Sequence, residues 1–348
     1  MKKMAKICSA VFLILALASP VYAFRELTVV STWSNLTLYK SLEKPFWGQI
    51  LPQESGGKLK GKIVGTLDQL NTPGTGLLRQ MENGIFDIVF VCTDYIVSDC
   101  AELAGLDLPC IAPDIQTARK IVNAYNPVMH RLFNKYFNAK VLGVCPYPFQ
   151  ILFANFPMAN GLQDIKGKKI RASGWTTAKF IDAIGGAGVT MPFGEVPQAL
   201  NRGVVDGAIT GSLSGYEARW GEVTKFLYPL PIGGWDYYVP VMSNKTWNAM
   251  KPEEQEMLLK IVNSKLEVPA WEVADKEAMG GVEILTGTGA YKGKKAPMTL
   301  VNVQPKDIEL AKKVLENNVL PAFAAQISPE AAKDWNNSIG AVTGLKIK

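Results

Sequence analysis

The chain has 348 residues, of which 48% are apolar and 20% charged, with a formal net charge of +6 and a single histidine. A chain of this length buries a substantial core without covalent staples and is expected to form about two domains of roughly 100–200 residues each. Having His130 as its one histidine excludes most Ser-His-Asp and Cys-His catalytic arrangements and leaves zinc short of ligands. The lysines are spread along the chain, so no nucleic-acid-binding stripe is expected.

The N-terminus reads as a secretory signal peptide. Three lysines fall within residues 1–6, an apolar run covers 7–17, and Val21-Tyr22-Ala23 offers small residues for cleavage after Ala23. That run is shorter than the roughly 20 residues of a membrane span. Cleavage would lower the net charge to +3 and deliver the mature chain to the periplasm, and no cysteine at the cleavage site suggests a lipid anchor.

Residues 27–32 form a short β-branched run and predict the first buried strand. Leu38, Leu42, Phe46 and Ile50 have helical spacing, although Pro45 weakens the signal. A strand is expected at 62–67, then a helix opened by Pro73 and closed by Gly84, then an apolar strand at 86–92. The pattern recurs as strand 168–172, helix 176–184 stopped by Gly185-Gly186, strand 189–191, a short helix 195–201 ended by Gly203, and strand 204–209. Such alternation implies an α/β fold with buried sheets. Two units imply two lobes, each a sheet flanked by helices, with a cleft between them. The expected boundaries are 24–148 with 238–280 for one lobe and 149–237 with 281–348 for the other. Residues 252–268, continued through 271–279, predict a long hinge-spanning helix; a basic loop at 290–296 and helices at 305–325 and 329–339 complete the chain. Among Cys92, Cys100, Cys110 and Cys145, an oxidising compartment permits disulfides, with Cys100–Cys110 the favoured pair and buried free thiols the alternative.

No Gly-x-Ser-x-Gly elbow and no phosphate loop is present, and Gly185-Gly186-Ala187-Gly188 follows a helix, as a C-cap and turn would. Arg171 ends a predicted strand just before a turn and a helix. In open α/β sheets that end faces the ligand crevice. A guanidinium there can fork two hydrogen bonds onto a carboxylate, and the helix starting near Trp175 adds its positive end. The alternative is an arginine paired structurally with a nearby aspartate.

The run Asp164-Ile165-Lys166-Gly167-Lys168-Lys169-Ile170-Arg171 resembles a signature of the DctP-type substrate-binding proteins of TRAP transporters. The stretch from Met191-Pro192-Phe193-Gly194-Glu195 to Val205-Asp206-Gly207 is similar to that family's second signature, and Asn83-Gly84-Ile85-Phe86-Asp87-Ile88 to an earlier one. The resemblance implies a two-lobed periplasmic binding protein, not an enzyme, that needs no cofactor and hands a small organic carboxylate to TRAP membrane subunits. By matching position, Arg171 would clamp the carboxylate and Phe193 would pack beside the ligand. Thr210 falls where many members place a polar side chain, although Asp206-Gly207-Ala208-Ile209-Thr210-Gly211-Ser212 departs from their usual run. Gln150 stands where sugar-acid-binding members have another arginine, which argues against a sialic-acid-like ligand or a dicarboxylate. Trp33, Tyr95, Trp175, Phe193 and Trp235 fall in segments expected to border the cleft. Aromatic walls with one cationic clamp suit an apolar or aromatic monocarboxylate. Gln150 with Asp236 also resembles the pair that holds a cation in members binding 2-oxo acids, so a ligand-bridging cation is an expectation there. Two other classes remain open: a ligand-sensing module for a membrane receptor, and a secreted α/β enzyme, for which no acid–base pair is evident.

Overall fold

The computed structural model describes residues 24–348 except 71, 73 and 294–296. The leader segment, Pro73 and the end of the basic loop therefore lie outside the described residues. Eleven strands are present among those described: β1 (Arg25–Ser31), β2 (Leu59–Thr66), β3 (Ile88–Cys92), β4 (Ala139–Val141), β5 (Gln150–Ala154), β6 (Lys169–Ala172), β7 (Ala187–Thr190), β8 (Gly207–Gly211), β9 (Phe226–Tyr228), β10 (Tyr238–Ser243) and β11 (Thr299–Leu300). They form two sheets, ordered β2-β1-β3-β10-β4 and β11-β9-β5-β8-β6-β7. This is the two-lobed α/β architecture expected from sequence.

The strand sequences explain their places. Ile-Val-Phe-Val-Cys of β3 is buried at every position, as a strand covered on both faces must be. It lies between β1, which runs parallel to it, and β10, which runs antiparallel. In the second sheet β6 pairs in parallel with β7 and β8, setting Arg171 opposite Val189 and Ala208. β10 returns to the first sheet only after the strands β5 to β9 of the second have been laid down.

The long helix is continuous from Pro252–Val262 through Asn263–Glu267 to Val268–Thr286. It touches both halves. The Val144 amide donates to Glu267 Oε1 at 3.0 Å, and Ser212 Oγ donates to the Ala278 carbonyl at 2.8 Å. Gly281 permits the second contact, because a Cβ there would lie 2.3 Å from the Leu213 amide nitrogen. Its middle is a wide turn bonded five residues ahead, and Pro269 follows two residues later. Pro45, Pro52 and Pro321 follow the wide turns Leu38–Glu43, Phe46–Ile50 and Leu315–Val319 at the same distance. A proline removes one backbone donor, and the widened turn accommodates the gap without ending the helix. Pro45 thus deforms the helix predicted there rather than breaking it.

Other expectations needed correction. The 23-residue helix Ile115–Phe137, capped by Asp114 accepting from the Thr117 amide, has no counterpart among the predicted elements; Pro127 inside it hides the signal. The favoured Cys100–Cys110 disulfide is absent. All four described cysteines are free, with the Cys100 thiol 3.5 Å from Glu102 Oε2 and Cys110 in a left-handed turn. Burial pushes the Cys110 thiol up to about 12, so little thiolate is available for oxidation.

Candidate functional site

The parallel strands β1, β3, β6 and β8 end toward one crevice. Thr32 and Trp33 follow β1, Asp94 and Tyr95 follow β3, Ser173 and Gly174 follow β6, and Thr210 is the penultimate residue of β8. Antiparallel strands contribute their beginnings. Gln150 opens β5 opposite Gly211, and Trp235-Asp236 leads into β10, whose Tyr238 pairs with Cys92.

Arg171 is 1% exposed. Its Nε donates to the Met191 carbonyl at 2.9 Å and its Nη1 to the Ile209 carbonyl at 2.8 Å, which fixes the plane of the fork. Its guanidinium carbon lies 5.9 Å from the ring centre of Trp220, on which Phe193 stacks at 5.3 Å. No carboxylate among the described residues comes within 4 Å of the guanidinium nitrogens, and Nη2 bonds to no described residue. An ion pair with a neighbouring aspartate, the structural alternative for this arginine, is therefore not formed.

Phe193 belongs in turn to the wall of a cavity of about 10 Å³, together with Trp33, Tyr147, Thr210, Asp236 and Tyr238. That is room for about one water molecule. The Trp33 indole donates to the Tyr238 hydroxyl at 2.8 Å, and its ring meets Phe193 at 5.3 Å. Several bonds cross between the two halves. Ser173 Oγ donates to Asp94 Oδ2 at 2.7 Å, and the Phe193 amide donates to the Tyr95 hydroxyl at 3.3 Å. The amide and hydroxyl of Thr37 both donate to Glu217, at 2.8 and 3.0 Å. Gly174 is required at the first crossing, because a Cβ would stand 2.7 Å from Asp94 Oδ2.

The acids here carry raised pKa values. Burial, then the charge of Asp236, pushes Asp94 up to about 7, against the pull of Ser173 and Arg171. Burial raises Asp236, opposed by the Cys92 thiol and Arg171. Asp107 is raised by burial, then by Asp94, although its oxygens accept the amides of Trp235 and Asp236 at 2.7 and 2.8 Å. Those two bonds hold Asp236 in its left-handed conformation, φ +50°.

The crevice therefore brings together Arg171, Gln150, Tyr95, Phe193, Thr210, Trp33 and Asp236. Trp235 is elsewhere: its indole donates to the Ala112 carbonyl and its ring packs edge-on against Phe149, so it is core. Trp175 is partly exposed at the start of its helix. Gln150 reaches Ser173 at 3.4 Å, and Asp236 Oδ1 accepts from the Cys92 thiol. Among the described residues no three or more His, Cys, Asp or Glu are grouped to hold a metal ion. Asp94, Ser173, Tyr147, Trp220 and Tyr238 escaped the sequence reading. The signal for Asp94 and Ser173 was available, since Ser173 directly follows β6 and Asp94 lies two residues past β3, at strand ends that face the crevice.

A model of the bacterial extracellular solute-binding proteins, family 7, matches residues 31–320. Among curated proteins, an uncharacterized protein of Salmonella typhimurium, YiiZ, is 25% identical over 246 residues, covering 67% of this chain and 70% of that one. A solute-binding protein of Albidiferax ferrireducens is 30% identical over 129 residues, 37% of this chain and 38% of that one. Solved structures share the fold at low identity. A Bordetella pertussis extracytoplasmic solute receptor binding pyroglutamic acid superposes with a TM-score of 0.76 at 16% identity, covering 90% of this chain and 99% of that one. A TRAP periplasmic solute-binding protein of Desulfovibrio salexigens with bound orotic acid gives 0.78 at 17% (91% and 99% covered), and one of Shewanella oneidensis with bound succinate 0.76 at 18% (90% and 98% covered).

Proposed function

The chain belongs to family 7 of the bacterial extracellular solute-binding proteins, and from that premise we propose that it captures a small organic monocarboxylate in the periplasm and delivers it to TRAP membrane subunits. The observation that carries this reading is the unpaired, buried guanidinium of Arg171. A buried charge is normally matched by an opposite one, and here two backbone carbonyls orient the fork while Nη2 has no partner among the described residues. A ligand carboxylate supplies the missing anion. Gln150 is neutral and Asp94 and Asp236 stand nearby, so a second carboxylate on the ligand would find no cation.

With a cavity of about 10 Å³ in the closed form, a ligand enters only when the walls part. The crossing bonds Ser173–Asp94, Tyr95–Phe193 and Thr37–Glu217 then break and re-form, which is hinge closure around a ligand. No bond of the ligand need change, because closure requires only a higher affinity for the shut state. The test is thermal denaturation of the mature protein with pyroglutamate, orotate, succinate and galacturonate, each repeated with Arg171→Ala. A monocarboxylate should raise the melting temperature of the wild type and leave the variant unmoved. A shift that persists in Arg171→Ala would remove the arginine from the site.

A further inference from the structure

Arg171 shares its surroundings with two carboxyl groups that have few partners of their own. Asp94 and Asp236 both feel the arginine's charge, yet neither lies within 4 Å of its nitrogens, so neither is ion-paired with it. Ser173 Oγ donates to Asp94 Oδ2, and the Cys92 thiol donates to Asp236 Oδ1 at 3.0 Å. The remaining oxygen of each accepts from no described residue. Asp107 shows the contrast. Its two oxygens each take a backbone amide, which accounts fully for a structural acid. Asp236 instead forms part of the cavity wall.

The free acceptors around Arg171 restrict what can enter. An acid whose only polar group is its carboxylate would give the free oxygens of Asp94 and Asp236 no donor. A ligand bound with its carboxylate toward Arg171 brings its neighbouring atoms to the aspartates. We infer that the ligand carries a nitrogen-borne proton beside its carboxylate, a lactam N–H or an ammonium, which Asp94 or Asp236 accepts. This deepens the carboxylate-binding reading and rests on it.

Four five-membered-ring acids of nearly equal size separate the possibilities: pyroglutamate with a lactam N–H, proline with an ammonium, tetrahydrofuran-2-carboxylate with a ring oxygen, and cyclopentanecarboxylate with only methylenes. Titration calorimetry on the mature wild-type protein at neutral pH should show at least one nitrogen-bearing acid binding about tenfold or more tightly than the last two. Preference for proline identifies a charged donor, and preference for pyroglutamate a neutral one. Asp94→Asn or Asp236→Asn should narrow that ratio, but the wild-type ratio decides the matter if a variant does not fold. Four affinities within about threefold of one another would overturn the inference. On acidification cyclopentanecarboxylate should gain on the nitrogen-bearing acids, because protons on the aspartates then take the place of the ligand's donor. If none of the four binds while other monocarboxylates do, the inference alone fails. If no carboxylate binds at all, the proposed function fails with it.

Discussion

Replacing Arg171 with lysine keeps the charge and removes the fork, so it isolates geometry from electrostatics. In the wild type, Nε and Nη1 are committed to the Met191 and Ile209 carbonyls, and Nη2 remains for a ligand. A single ammonium cannot hold both carbonyls and still bond a ligand. At least one buried carbonyl should lose its donor, which costs about 1–3 kcal/mol and lowers the melting temperature of unliganded protein by a few degrees. Truncating one side of a buried, hydrogen-bonded ion pair costs roughly 2–5 kcal/mol in binding; because lysine keeps its charge, we place Arg171→Lys near about 2 kcal/mol, or roughly 30-fold in Kd. Calorimetric titration with whichever acid gives the largest thermal shift measures this directly. Arg171→Lys with wild-type circular dichroism and an affinity within about threefold of wild type would refute the argument that the fork is what binds.

Asp107→Asn should act at a distance from the ligand. An amide has one acceptor oxygen where two backbone amides now converge, so Trp235 or Asp236 would face a donor, at about 1–3 kcal/mol. An unchanged melting temperature would show that these bonds are not needed to hold the loop. Glu217→Ala removes both bonds to Thr37 across the cleft and should favour the open form, raising the radius of gyration of unliganded protein in X-ray scattering and weakening ligand binding by about tenfold. Identical scattering and affinity would place the closing energy elsewhere. Glu43, raised by burial from its ordinary 4.5 to about 7, binds more protons folded than unfolded between those values. Its contribution is complete below about pH 4.5 and is lost as pH rises through about 7, on the order of 3 kcal/mol. Glu43→Gln, which can keep both contacts with Thr32, should flatten the fall in melting temperature over that window. Parallel curves for the two proteins would show that Glu43 is not the titrating group.

Much of the fold could be read locally. Apolar runs mark β1 and β3, and glycines at positive φ stop the helices where predicted, at Gly84 and Gly185. Arg171 was legible for the same reason: a strand end followed by a turn and a helix is a feature of a few consecutive residues. What surrounds that arginine was not legible. Asp94 meets Ser173 across 79 residues of chain, and Asp236 meets Cys92 across 144. Trp235 read as a cleft wall until its indole proved to be bonded to a carbonyl 123 residues earlier. Cys100 and Cys110 are close in sequence yet remain separate thiols in the fold. Periodicity and capping are short-range and leave a trace in sequence. The field around a buried charge depends on which segments the two sheets bring to one crevice, and in this chain only the tertiary structure decides that Arg171 shares its surroundings with Asp94 and Asp236.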